Sequence, residues 1–345
     1  MTIISVSSHE NLLRTLKSKG HYLPAICGGR GSCGKCAVRL VSGSLDVSDA
    51  DRKRFSQEEL DKGWRLACTA FPSGEIRVEI PDTGEQHFSI VSSFTETDIA
   101  TRKRDAEYVP IGSKEESFYG IAVDIGTTTI DMVLLEVHTG KIIARHAVVN
   151  KQREFGADVI SRIQSANDGN LSVLSGSVRK QIDEGIAALC SQAQISSKDI
   201  CKVVITGNTT MLHLLLGLSC NTLGKAPFTP VTLDMVFMQY REICNGDLSC
   251  EVIVLPGIST YVGADITAGI YFTELHQSTA PAMLVDIGTN GEMVLVNKGK
   301  ILCTATAAGP AFEGGNILWG TGSVPGAISH VQYNNGIFAV QTIEE

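Results

Sequence analysis

Hydrophobic and polar residues alternate with a period of two over residues 2–6, 36–41 and 75–80, which predicts three short strands. Between the first two lies a helical pattern. Ser7 and Glu10 read as a capping box ahead of Leu12, Leu13 and Leu16, and Gly20 reads as the stop. A second short helix is expected over 56–60, where Ser56 precedes Glu59 and Leu60. Strand, helix, strands and a late strand predict an α+β domain of β-grasp type over residues 1–82. Periodicity lapses over 83–117, a polar stretch that holds Arg102-Lys103-Arg104 and reads as a solvated linker.

From residue 118 the apolar pattern repeats itself. Val123-Asp124-Ile125-Gly126-Thr127-Thr128-Thr129 is followed by Met132-Val133-Leu134-Leu135 and Gly140-Lys141-Ile142-Ile143. Val285-Asp286-Ile287-Gly288-Thr289-Asn290-Gly291 is followed by Met293-Val294-Leu295-Val296 and Gly299-Lys300-Ile301-Leu302. Each copy predicts strand, glycine turn, strand, turn, strand. The spacing is too long for a solenoid and suits a duplicated α/β domain. Between the copies, 203–213 predicts a buried strand, a polar turn and an apolar helix. Asn208 and Thr209 would there face a ligand or cap the helix, and His213 would be a satisfied core residue. A further helix is expected over 262–270 with Asp265 as a cap, and a hairpin over 331–341 around Asn334-Asn335-Gly336.

Composition narrows the classes. The 345 residues exceed one ordinary core, and 43% apolar with 19% charged is a globular mixture. A formal charge of −8 speaks against a nucleic-acid partner. The chain opens without a basic and then apolar leader, and its most apolar run, 211–218, is far shorter than a bilayer requires. A cytoplasmic protein with no membrane partner is expected. The ten cysteines are unevenly placed: four fall within 27–68, while Cys190, Cys201, Cys220, Cys244, Cys250 and Cys303 are scattered, with Cys244 and Cys250 read as isolated thiols.

The four clustered cysteines carry chemistry. Cys27-Gly28-Gly29-Arg30-Gly31-Ser32-Cys33-Gly34-Lys35-Cys36, with Cys68 further on, places three thiolates on one loop and one at a distance. That is how a plant-type 2Fe–2S cluster is held, and glycines between ligands let backbone N–H groups approach sulfur. Structural zinc would favour paired C-x2-C motifs or added histidines. In the repeat, Asp-x-Gly-Thr turns suit phosphate. Gly126, Thr127, Thr128 and Thr129 of one copy, and Gly288, Thr289, Asn290 and Gly291 of the other, would offer N–H and hydroxyl donors. Asp124 and Asp286 would hold Mg²⁺ of bound ATP and act catalytically. This is the pattern of the actin/sugar-kinase/Hsp70 ATPases, which share the ribonuclease H-like fold; no Walker A loop occurs.

The combination resembles the reductive activators of corrinoid-dependent enzymes. The resemblance extends through Asn150-Lys151-Gln152, residues 155–163, Gly207-Asn208-Thr209-Thr210-Met211, residues 284–294 and residues 308–315. It implies ATP-dependent one-electron reduction of Co(II) to Co(I) on the corrinoid protein of a methyltransferase system, with a low-potential electron donor and, as one open assembly, a homodimer. Domains are expected at 1–82 and 118–345, the second ending before the superfamily's adenine-binding part. The competing reading is an iron–sulfur electron carrier or partner-binding protein with an inactive ATPase-like domain. A more distant one is an activator of another low-potential radical enzyme.

Overall fold

Ser48 and Ser56 each open a helix by the same device, and the first of these helices is absent from the periodicity reading. In the computed structural model, which describes residues 2–7, 9–21, 23, 29, 31, 33–81, 118–307, 326–334 and 336–342, α2 (Asp49–Arg54) follows Ser48 and α3 (Gln57–Asp61) follows Ser56. Each serine accepts from the backbone N–H three residues on, and the acid there, Asp51 or Glu59, bonds back to the serine N–H. The expected linker over 83–117, Cys27, and residues 308–315 lie outside the described residues.

The N-terminal unit is a four-stranded sheet in the order β1-β4-β2-β3, made of β1 (Thr2–Ser7), β2 (Ala37–Ser42), β3 (Trp64–Leu66) and β4 (Glu75–Ile80). All its pairings are antiparallel. The helix α1 (Leu12–Ser18) contributes Leu12 and Leu16, which are buried with Val6, Val38, Leu66, Ile76 and Val78. The β-grasp expectation holds, with one correction to its start. Helix α1 is not opened by a Ser7–Glu10 box: the Asn11 side chain accepts from Arg14 N at 3.3 Å. The reason is tertiary, since the same Asn11 amide donates to Cys68 O at 2.8 Å.

The second unit is built on a six-stranded sheet in the order β7-β6-β5-β8-β10-β9. Here β5 (Tyr119–Ile125), β6 (Thr129–Glu136) and β7 (Ile142–Val149) form the first repeat, antiparallel throughout. The strands β8 (Ile200–Gly207) and β10 (Glu251–Val254) extend it in parallel, and β9 (Val236–Gln239) closes the edge. Helix α4 (Leu171–Ala193) lies on this sheet with Leu174, Val178, Ile182, Ile186 and Leu189 buried. On the same sheet Ile121, Val123, Ile125, Ile130, Met132 and Leu134 are also buried. Close approach is possible because α4 carries Gly185, where a Cβ would collide with the Met132 thioether.

The second repeat forms its own sheet of β11 (Ala282–Ile287), β12 (Asn290–Asn297) and β13 (Lys300–Ala307). Two further helices, α5 (Thr209–Leu216) and α6 (Ala264–Phe272), stand between the copies in sequence, as their patterns predict. Helix α6 packs on one face of the second sheet through Ile266 and Ile270 against Val294 and Val296. The expected hairpin is β14 (Ile328–Asn334) with β15 (Ile337–Thr342), in which Tyr333 opposes Phe338 at a ring separation of 4.8 Å. Among the described residues no helix is long and apolar enough to cross a membrane.

Candidate functional site

Two of the predicted thiolates meet through strand register. Cys36 immediately precedes β2, and Cys68 lies in a 3-10 turn that follows β3. Ala37 pairs with Leu66, and Ala67 N donates to Cys36 O at 2.9 Å, so both cysteines emerge at the same end of one ladder. The loop between the ligands turns at Gly29, Gly31 and Gly34, with φ of +86°, +73° and +72°, a region that side chains disfavour. Gly29 and Gly31 lie against the Cys68 segment: a Cβ at Gly29 would be 3.9 Å from Cys68 Cβ, and one at Gly31 3.0 Å from Thr69 Cγ2. Cys33 is half-buried within that loop. No described cysteine is in a disulfide, and among the described residues no three His, Cys, Asp or Glu side chains already converge on a metal position. The glycine cradle closing on Cys68 fits a cluster with side chains excluded from its ligand loop.

The second constellation is where the two repeats touch. Thr128 Oγ1 of the first hairpin is 3.1 Å from Thr289 Oγ1 of the second. Thr127 is buried and accepts from Asn208 Nδ2 at 3.0 Å, while Asn208 Oδ1 accepts from Met211 N at 3.0 Å. Of the two roles its sequence left open, Asn208 takes the helix cap through its oxygen, while its amide steadies the first turn. Asn150 Nδ2 holds Gly126 O at 2.8 Å, and Gly288 N donates to Asn290 O at 2.9 Å, which fixes each turn from within. Replacing Asn208 by Ala removes cap and tether together and is expected to cost about 1–2 kcal/mol, measured as a lower denaturant midpoint at unchanged m.

Each repeat carries a pair of opposed acids. The register sets Asp124 against Asp131 across β5–β6 and Asp286 against Glu292 across β11–β12. Asp265 of α6 joins them. Burial, then the charges of Asp265, Asp131 and Asp286, push Asp124 up to about 6. Burial and Asp286 raise Asp265 to about 6, and burial with Asp265 and Asp286 raises Glu292 to about 7. Asp124 and Asp286 nevertheless remain open to solvent on one side. Next to Asp124 on the flanking strands, Asp131 Oδ1 and Thr206 Oγ1 are buried without a hydrogen-bond partner. Concentrated, partly protonated carboxylates beside unsatisfied oxygens fit a hydrated divalent cation, which keeps several waters and needs few protein ligands.

Asp265 and Glu292 were not selected by sequence as site residues. Asp265 was expected to cap α6, but Gly263 holds the N-cap position and Asp265 accepts from Ile266 N inside the first turn. Glu292 was findable, since it occupies in the second repeat the place of Asp131 in the first. His213 is the core residue expected: Nε2 accepts from Val231 N at 3.0 Å, and Nδ1 lies 2.8 Å from Thr209 O. That arrangement requires the neutral ring, and burial lowers its pKa from 6.5. The unfolded state then binds more protons below about 6.5. The contribution of His213 is complete above that pH and is lost as pH falls through the folded value. A shallower acid-side loss of stability in a His213→Gln variant, by chemical denaturation at pH 7 and pH 5, is the expected result.

Comparison with known proteins gives matches along nearly the whole chain. Residues 2–73 match the 2Fe-2S iron-sulfur cluster binding domain, residues 119–278 the RACo middle region, and residues 280–345 the C-terminal domain of RACo, the ASKHA domain. The two RACo models between them take in well over half of the chain. It belongs to the RACo family. Among relatives of this RACo-family chain, the corrinoid activation enzyme RamQ of Eubacterium limosum is 30% identical over 96% of the chain and 64% of its own length. The Co(II) methylated amine-specific corrinoid protein reductase of Methanosarcina barkeri is 28% identical over 62% of the chain and 41% of its length. A solved reductive activator for corrinoid, iron-sulfur protein superposes with a TM-score of 0.61 at 29% identity, covering 98% of the chain and 67% of that structure. The RACo-family chain thus spans about two thirds of RamQ and of the solved activator. Its architecture is a ferredoxin-type domain followed by an ASKHA fold, as the sequence predicts.

Proposed function

We propose that this chain is an ATP-dependent reductive activator of a corrinoid protein, returning its cobalt from Co(II) to Co(I) by one-electron transfer. The observation that carries the reading is the presence in one chain of a glycine-cradled thiolate loop and two touching phosphate-type hairpins. Cys27, Cys33, Cys36 and Cys68 would hold the 2Fe–2S cluster, which when bound supplies the single electron. Asp124 and Asp286 would hold Mg²⁺ with ATP, and Gly126 to Thr129 with Gly288 to Gly291 would receive the phosphates. Domain limits of 1–82 and 118–345, with 83–117 between, suit this division. The partner would be a corrinoid protein of a methyltransferase system, and a low-potential donor would supply the electrons.

The thermodynamic reason for joining the two parts is direct. A plant-type cluster sits near about −400 mV, and each ~59 mV uphill for one electron costs about 1.4 kcal/mol. Binding energy released on nucleotide-driven closure around the corrinoid partner can offset several such steps by favouring the reducible form of cobalt. In this scheme Thr128 and Thr289 work as paired donors whose separation reports closure, and Asn208 keeps the first turn in place while it happens. The test is anaerobic: the chain, a chemical reductant, ATP and a Co(II) corrinoid protein should yield the Co(I) absorption band, and omission of ATP should suppress it. Cluster reduction without ATP binding in a titration of the chain alone would instead favour the electron-carrier reading.

A further inference from the structure

Helix α2 is fixed at its start. Asp51 of its first turn accepts from Leu66 N at 2.7 Å, and Ser48 Oγ lies 3.0 Å from Thr69 Oγ1, which ties the helix to the segment around Cys68. Ala50 and Arg54, one turn apart, share a face of α2, and that face meets the thiolate loop at two points. A Cβ at Gly31 would lie 2.8 Å from Ala50 Cβ. A Cβ at Gly34 would collide with Nε of Arg54 and lie 2.7 Å from Cζ and 2.8 Å from Cδ of the same side chain. The guanidinium thus rests on the Gly34 backbone, which stands between Cys33 and Cys36 in sequence. Gly34 is buried, while Arg54 itself stays exposed.

Among the described residues Arg54 forms no ion pair with a carboxylate. Glu59 feels its charge, but less than its own bonds to Ser56. A guanidinium stays protonated at any working pH. A full positive charge is therefore held against the loop that carries Cys33 and Cys36. One-electron reduction of a two-iron centre on four thiolates adds a negative charge, and the charge around such a centre is one of the factors that set its potential. We propose that Arg54 sets the reduction potential of the proposed cluster, its guanidinium on Gly34 favouring the reduced state. Helix α2 is then an electrostatic platform as well as a clamp: Ala50 seats the loop at Gly31, and Arg54 charges it at Gly34. A centre made easier to reduce is filled by a milder donor and leaves more of the uphill span to be met at the acceptor. The inference rests on the cluster reading of Cys27, Cys33, Cys36 and Cys68, and on neither ATP nor cobalt.

The experiment loads the full chain with iron and sulfide under anaerobic conditions and titrates it with dithionite in the presence of redox mediators. Dithionite supplies the single electron, and visible bleaching with the reduced-state paramagnetic signal reads the loaded protein alone. Poised at the midpoint of the unaltered chain, Arg54→Gln should shift the reduced-to-oxidised ratio about three- to tenfold toward oxidised, where tenfold is ~59 mV. Arg54→Met, a second neutral variant, should give the same shift. Arg54→Lys keeps the charge and should restore most of the ratio. Lys53→Gln removes an equal charge from the neighbouring position, off the Ala50–Arg54 face, and should move the ratio less. An unchanged ratio in both neutral variants, an equal shift in Lys53→Gln, no recovery in Arg54→Lys, or failure of both neutral variants to take up iron would overturn the inference and leave the cluster reading standing. An unaltered chain that takes up no two-iron centre would overturn both.

Discussion

Changing Cys68 to Ala should leave a protein that is colourless after anaerobic reconstitution and silent in the paramagnetic spectrum of the reduced state. Cys68 is the proposed ligand outside the loop, and β2–β3 register places it beside Cys36. With three thiolates remaining, a cluster that needs four has lost its bridge between loop and ladder. The fold should survive, because Cys68 occupies a short 3-10 turn whose neighbours are held independently. Iron content, visible absorption and far-UV circular dichroism on the same preparation check the result. A variant that still assembles a two-iron centre would remove Cys68 from the ligand set, and with it the electron-transfer route.

Changing Asp124 to Asn should lower ATP turnover by about a hundredfold or more, the scale of losing a group that positions charge at a phosphoryl-transfer site. The amide matches the carboxylate in size, so packing is preserved and the loss reports charge. A pH profile adds a second readout. Burial and three neighbouring acids raise Asp124 to about 6, so its ionised, cation-binding form declines as pH falls through that value. Mg²⁺-nucleotide affinity of the unaltered chain should therefore drop between about pH 7 and pH 5, and the variant should lack the Asp124 part of that slope. The stability linkage has the opposite sense. An acid with a raised folded pKa binds an extra proton in the native state, so folding is favoured at low pH and loses that contribution as pH rises through 6. Bound Mg²⁺ should erase the penalty, seen as a larger melting shift at pH 8 than at pH 6.

Much of this arrangement was legible before any coordinates. The repeated Asp-x-Gly-Thr turns announced two similar hairpins, and these fold as three-stranded antiparallel units that meet at Thr128 and Thr289. What escaped was of two kinds. The start of α1 and the existence of β3 depend on partners distant in sequence: Asn11 is committed by Cys68 O, and three residues suffice for β3 because β2 lies beside it. Local pattern holds no record of such contacts. Asp265 and Glu292 escaped for another reason. The hairpin motif directs attention to the turn, whereas their importance comes from strand register opposite Asp286 and from a helix that begins at Ala264. Comparing the two copies position by position would have found Glu292, but nothing local marks Asp265.

Asp51, reached by solvent over only 1% of its surface, accepts the Leu66 amide at 2.7 Å through one oxygen and Ser48 through the other. These bonds, with the Asn11 link to the Cys68 carbonyl, hold the strand end that carries Cys68 by forces that owe nothing to iron. Assembly of the proposed cluster would then need no ordering of the Cys68 strand end, unlike small metal domains that fold only when loaded. The Leu66 amide proton should accordingly exchange slowly in iron-free protein, and repair of an oxidatively bleached centre should need sulfide and iron without a refolding step.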